Sequence, residues 1–286
     1  MKFILSPNPY RDHGLKAAQS AEKILRSAGG ETVLCMPFEG EPNMDLPRNL
    51  KYARIEDEIG TADMVICFGG DGTILHAAKD VLEYRLPVLG VNLGSVGFMA
   101  ELEVSEMSNL NRLCVGKYRL EDRVMLDVQI VRDRTVIYQD VALNDAVITK
   151  GAVARMVDIS VYADGHMASS FSGDGLVLST PTGSTAYAMA AGGPIVEPTA
   201  ANIIIAPICA HSLHAKSFVL APERKVVARI ERHTHRNAYL SVDGGKAVRL
   251  NQGDEVRVNL SEHVTQLVRL TNRTFYESIN QKLGQL

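Results

Sequence analysis

The chain has 286 residues, 46% of them hydrophobic and 22% charged, and carries a formal net charge of −3. That length exceeds what a single core usually fills and points to two domains. The small acidic balance excludes a global electrostatic case for nucleic acid or an anionic membrane surface, so an anionic ligand has to be held by a local site.

From the N-terminus to about residue 100, strand-like and helix-like stretches alternate, the pattern of parallel strands joined by helices. "KFILS" reads as the first strand. "GLKAAQSAEKILRSAG" follows as a helix, with Leu15, Ala18, Ile24 and Leu25 at helical spacing and Gly29 and Gly30 at its end. "TVLCM", "MVICF" and "LPVLGVN" are the next three strands, and the polar, proline-bearing "EGEPNMDLPRNLKYARIEDEIG" reads as an exposed loop in its first part.

Beyond residue 120 the rhythm changes to short, β-branched, often alternating runs: "VMLDVQIV", "VIYQDVALNDAVITK", "MVDISVYAD", "GLVLS", "NIIIAPI", "KSFVL", "KVVARI", "AYLSVDG", "AVRL", "DEVRVNL" and "QLVRL". Asp-Gly pairs at 164 and 243 punctuate them as turns. The series predicts a second, all-β domain of sandwich type. A final helix is expected through Phe275, Tyr276, Ile279 and Leu283, with an apolar face that has to dock. The expected division is an α/β domain over 1–118, a β-rich domain over 119–268, and a terminal segment over 269–286 that returns to the first domain.

Cys35, Cys67, Cys114 and Cys209 are scattered without a CxxC pair and read as reduced. The apolar start of "MKFILSPNP" is too short for a signal peptide, and no segment approaches the roughly 18 apolar residues of a membrane helix. A cytoplasmic protein is expected.

Three stretches carry chemistry. In "MVICFGGDGTILHAA" (64–78), glycines frame Asp71 between a strand and a helix. Glycine permits backbone conformations and close approaches that side chains forbid, so the aspartate is either in a turn or in a site. In "SGDGLVLSTPTGSTAYAMAAGGPIV" (172–196), Asp174 precedes a run of Thr180, Thr182, Ser184 and Thr185 and then Tyr187. Hydroxyl residues there either cap a helix or leave its N–H groups facing an anion. In "LNDAVITK" (143–150), Asn144 and Asp145 oppose the strand propensity around them, which marks a bulge or a site.

Together these stretches resemble the NAD kinase family: "GGDGT" (69–73), "ND" (144–145) and "DGLVLSTPTGSTAY" (174–187) with the following "AGGPI", supported by "NLGSVGF" (92–98), "PICAHSL" (207–213) and "SVDG" (241–244), all in family order. "GGDGT" also occurs in diacylglycerol and sphingosine kinases; "TPTGSTAY" looks like NAD kinase. The resemblance implies phosphorylation of the adenosine-ribose 2′-hydroxyl of NAD from ATP or polyphosphate, with magnesium carried by the ATP and no dedicated protein metal ligands. It implies Asp71 as the catalytic carboxylate, with Gly69, Gly70, Gly72 and Thr73 toward the donor phosphates and His76 near the dinucleotide. Dinucleotide contacts are implied for Asn144, Asp145, Asp174, Thr182, Ser184, Thr185, Ala186, Tyr187 and Ala190, and Arg155 is a candidate for a phosphate. Many members carry Asn-Glu where this chain has Asn144-Asp145. A homo-oligomer, tetramer or dimer, is also implied, with no nucleic-acid or membrane partner. Rival readings are a lipid or sugar-phosphate kinase and a non-catalytic dinucleotide-binding regulator. Cys209, His211 and His214 lack a fourth ligand and are not assigned to zinc.

Overall fold

The computed structural model describes residues 1–36, 46–47, 50–94, 97–151, 155–212, 214–231 and 238–284. The chain divides into two compact units, Met1–Asp122 with Thr265–Leu286, and Arg123–Val264.

The first unit begins with β1 (Lys2–Pro7), α1 (Lys16–Ser27), β2 (Glu31–Leu34), α2 (Ile55–Glu58), β3 (Met64–Gly69), α3 (Asp71–Asp80), β4 (Val88–Asn92) and β5 (Leu102–Glu103). β1 lies between β2 and β3, β3 pairs β4 and β4 pairs β5, all in parallel. Parallel neighbours need crossovers, which α1 and α3 help to provide. Every residue of β3 and β4 is buried, the signature of strands covered on both faces. α1 turns Ala17, Ala18, Ala21 and Leu25 onto one buried face. They pack with Phe3, Leu5, Ile66, Phe68 and Leu89 in one core. The first part of the 39–60 segment, expected as an exposed loop, falls largely outside the described residues; beyond it Leu50 and Tyr52 pack against this core.

The second unit contains most of β6 (Arg119–Arg132), then β7 (Thr135–Ala142), β8 (Asp145–Lys150), β9 (Val157–Ala163), β10 (His166–Gly173), β11 (Gly175–Ser179), a 3₁₀ turn (Thr182–Thr185) and α4 (Tyr187–Ala190). β12 (Ile203–Ile208), β13 (Phe218–Leu220), β14 (Val226–Ile230), β15 (Ala238–Val242), β16 (Val248–Leu250) and most of β17 (Glu255–Arg269) complete it. Antiparallel pairing orders one sheet as β13-β12-β11-β8-β15-β16. A second layer runs β10-β9-β14-β17, and β6 and β7 form a hairpin. Leu126, Ile148, Ile159, Leu176, Ile205 and Val226, drawn from both layers, share one core, as a sandwich requires. The Asp-Gly pairs at 164 and 243 take positive φ at both residues, which matches the strand twist in tight hairpins.

Three strand readings change. β10 was not expected, because "HMASSFSG" has a weak apolar signal and mostly exposed or half-buried residues. "VIYQDVALNDAVITK" is two strands, broken at Leu143 and Asn144. "DEVRVNL" and "QLVRL" are one strand, β17. The last part of β17 pairs in parallel with β4, and α5 (Phe275–Leu283) follows within the first unit.

Candidate functional site

In the first unit, β3 leads through Gly69 and an extended Gly70 directly into α3, whose first residue is Asp71. Its carboxylate turns back to a neighbouring loop: Oδ2 accepts the Phe98 N–H at 2.7 Å and Oδ1 the Met99 N–H at 3.1 Å. Two donors fix the carboxylate's direction while leaving lone pairs free. A Cβ on Gly97 would stand 2.6 Å from Asp71 Oδ1, so the glycine of "NLGSVGF" makes room for this bracket. Ser95 and Val96 of that motif lie outside the described residues.

Around Gly70 and Gly72 there is open space; the Gly70 carbonyl takes the Thr73 and Ile74 N–H groups at 2.9 and 3.4 Å, and the N–H groups of Asp71 and Gly72 ahead of them have no intrahelical acceptor. A helix start of this kind suits a phosphate. Thr73 points inward; its buried hydroxyl accepts from Asn8 Nδ2 at 3.2 Å. His76 is exposed on the same helix.

In the second unit one carboxylate organises the break between β7 and β8. Asp243 Oδ2 accepts the Leu143 N–H at 2.8 Å, and Oδ1 accepts those of Asn144 at 2.8 Å and Asp145 at 3.0 Å. Behind the break, the Asn144 carbonyl accepts the Thr180 N–H at 2.9 Å and the Ser179 hydroxyl at 3.0 Å. Thr180 Oγ1 donates to the Leu143 carbonyl at 2.6 Å and accepts the Gly183 N–H at 3.1 Å. Asn144 Oδ1 is buried, with no hydrogen-bond partner among the described residues. A buried acceptor without a donor is costly unless a ligand supplies one.

Asp145 is 6% exposed. Burial first, and the Asp243 charge second, push its carboxyl from 3.8 up to about 7. The group therefore switches from donor to acceptor near neutral pH. Because its folded pKa is raised, its contribution to stability is fully present below about pH 4 and is lost as pH rises through about 7. Between pH 6 and pH 8 this group alone should lower unfolding free energy by on the order of 1 kcal/mol. Urea midpoints at the two pH values should show that loss in the wild type and not in Asp145→Asn; equal pH slopes would overturn the assignment.

The hydroxyl run mostly serves the scaffold. Thr182 Oγ1 accepts from buried Arg123 at 3.2 Å, and Ser184 Oγ bonds both the N–H and the carbonyl of Val196 at 3.1 Å. Thr185 Oγ1 donates to the Thr182 carbonyl at 3.4 Å. No long helix follows: a 3₁₀ turn and the four residues of α4 take its place. Ala186 and Ala190 flank Tyr187, which is 43% exposed and offers its ring to the surface. Asp174 pairs with Lys150 at 2.6 Å, and Arg155 is exposed. The second unit thus gathers Asn144, Asp145 and the 179–185 turn closely, by hydrogen bonds through residues 143 and 144. Sequence reasoning did not assign Asp243 to the site; its only signal was "SVDG", a hundred residues away.

Residues 13–118 match the ATP-NAD kinase N-terminal domain and residues 143–270 the ATP-NAD kinase C-terminal domain. The NAD kinase of Ruminiclostridium cellulolyticum is 36% identical over 283 residues, covering 99% of this chain and 97% of that protein. That of Natranaerobius thermophilus is 41% identical over 223 residues, 78% of each. Among solved structures, yeast NADH kinase complexed with NADH aligns with a TM-score of 0.86 at 26% identity, covering 100% of this chain and 88% of that one. An NAD kinase from Archaeoglobus fulgidus in complex with ATP shares the fold, with a TM-score of 0.75 at 24% identity over 100% of both chains.

Proposed function

The chain belongs to the NAD kinase family, and from that premise we infer that it transfers the γ-phosphoryl group of ATP to the adenosine-ribose 2′-hydroxyl of NAD, with Asp71 receiving the hydroxyl proton. The observation that carries the role of Asp71 is its bracketed carboxylate at the open start of α3. A proton acceptor has to be aimed before its basicity matters, and the two N–H donors do the aiming. The phosphates would lie against the first-turn N–H groups beside Gly70 and Gly72. A lipid- or sugar-phosphate-kinase reading accounts for "GGDGT" alone and leaves the match over 143–270 unexplained.

NAD would be held by the second unit. The partnerless Asn144 Oδ1 takes a donor such as the adenine amino group or a ribose hydroxyl, Asp145 takes ribose hydroxyls, and Tyr187 supplies an aromatic face. Magnesium is expected to arrive with the ATP and keep most of its waters. Among the described residues no group of three or more His, Cys, Asp or Glu is placed to hold a metal by itself. Bound with the ATP, magnesium would neutralise phosphate charge.

Polyphosphate as a second donor and a dimeric or tetrameric assembly belong to the same reading, the latter supported by exposed apolar side chains such as Tyr187 and Ile195. All four cysteines are unpaired, which supports a reducing compartment, the cytoplasm. Among the described residues no helix is long and apolar enough to cross a membrane. The test is direct: the purified protein with NAD, ATP and magnesium should yield NADP, read through an NADP-dependent dehydrogenase. Absence of NADP with either ATP or polyphosphate would overturn the reading.

A further inference from the structure

The C-terminal arm of the first unit brings a lysine to the ring of Phe98, the residue that holds Asp71. Glu101 Oε1 accepts the N–H groups of Leu270 at 2.8 Å and Thr271 at 2.6 Å, and Arg112 donates to the Leu270 carbonyl. Thr274 then caps α5 through a reciprocal pair with Glu277, accepting the Glu277 N–H at 3.2 Å while Glu277 accepts the Thr274 N–H at 2.7 Å. In the last turn of this anchored helix stands Lys282, its Nζ 4.9 Å from the centroid of the Phe98 ring. Phe98 is the residue whose backbone N–H holds Asp71 Oδ2 at 2.7 Å.

Two other cations of this arm are already committed. Arg269 pairs with Glu101 at 3.3 Å and with Glu121 at 2.9 Å, and Arg273 pairs with Glu106 at 2.8 Å. Lys282 makes no ion pair with any described residue. Burial holds its ammonium below the ordinary lysine range, and the nearby Asp71 and Glu103 carboxylates act in the opposite direction. A half-buried ammonium with an aromatic face on one side and no paired anion is poised to meet an anionic ligand.

Resting on the assignment of Asp71 above, we propose that Lys282 is the cation that meets the transferring phosphoryl group beside Asp71. In the reaction the ribose 2′ oxygen forms a bond to the γ-phosphorus as the bond from that phosphorus to the bridging oxygen of ADP breaks. The hydroxyl proton passes to the Asp71 carboxylate. Lys282 keeps its proton throughout and acts by charge alone, on equatorial oxygens that carry the negative charge of the transition state.

A packing role is the competing account, since the lysine stem also covers Phe98. Lys282→Met keeps the stem and removes the charge; Lys282→Arg keeps both. Steady-state kinetics with ATP, magnesium and NAD should show kcat of the Met variant down by about 100-fold. Its KM for NAD and thermal midpoint should match the wild type, and the Arg variant should recover at least about tenfold of the loss. A Met variant with wild-type kcat would overturn the proposal while the wild type's own NADP formation leaves the role of the enzyme standing. Equal losses in both variants together with a lowered midpoint would assign Lys282 to packing. A wild type that forms no NADP would remove the premise itself, a separate result.

Discussion

Asp71→Asn should abolish turnover while leaving NAD affinity nearly intact: kcat is expected to fall by about 10³-fold, within the range a positioned general base supplies. The substitution keeps the side chain's shape but removes its capacity to take a proton. It also disturbs the bracket, because an amide offers one oxygen where two N–H donors, from Phe98 and Met99, now find two. One of those donors would face an NH₂ group, at a cost of about 1–3 kcal/mol if it is left unsatisfied. A modest fall in thermal midpoint is therefore expected beside the catalytic loss. Binding of NAD by calorimetry separates the two effects, since the residues proposed to hold it are in the other unit. Turnover within tenfold of wild type would remove Asp71 from the proton-accepting role.

How much of this was legible in the sequence follows from what each signal depends on. The change from an α/β half to a β half is written in hydrophobic period, a local property, and β1, β3, β4 and α1 appear where "KFILS", "MVICF", "LPVLGVN" and the 14–29 helix pattern place them. β10 escaped because its alternation is carried by serines, and the hairpin with β9 supplies the reason for it to be extended. The continuity of β17 is likewise set by partners, since "SEHVTQ" in its middle has little strand character of its own.

At the site, residue types were visible and their wiring was not. "GGDGT" announced a carboxylate at a strand-to-helix turn, but the donors that aim it come from residues 98 and 99. Asn144 and Asp145 stood out for opposing strand propensity; the carboxylate that holds their N–H groups is Asp243, about a hundred residues later in the chain. Hydroxyls at 182 and 184 looked available to an anion, whereas Arg123 and Val196 engage them. Lys282 gave no signal at all, because its meaning depends on where α5 docks. Spacing within a motif reports local geometry, and the pairing of distant motifs is decided by the packed fold.

Gly183 ties two of those motifs together, and Gly183→Ala should damage both stability and NAD binding. A Cβ at this position would lie 2.3 Å from the Asn144 carbonyl oxygen, 2.7 Å from its carbon and 2.5 Å from Ser179 Oγ. Two of those three atoms are backbone, so no rotamer change relieves the overlap. Either the 182–185 turn moves outward, stretching the 3.1 Å bond from the Gly183 N–H to Thr180 Oγ1, or the Asn144 peptide moves and loosens the three N–H groups gathered on Asp243. Overpacking of this kind costs about 1–3 kcal/mol. Because Asn144 and Asp145 are the proposed NAD ligands, a displaced peptide should also raise KM for NAD by at least about tenfold, the equivalent of 1.4 kcal/mol. KM for ATP should change less, since the residues proposed for its phosphates belong to the other unit. Equal rises in the two KM values would show that the 179–185 turn does not act through Asn144. An Ala variant with unchanged urea midpoint and unchanged kinetics would mean that the close approach of the turn to the Asn144 carbonyl is not what holds the pair in place.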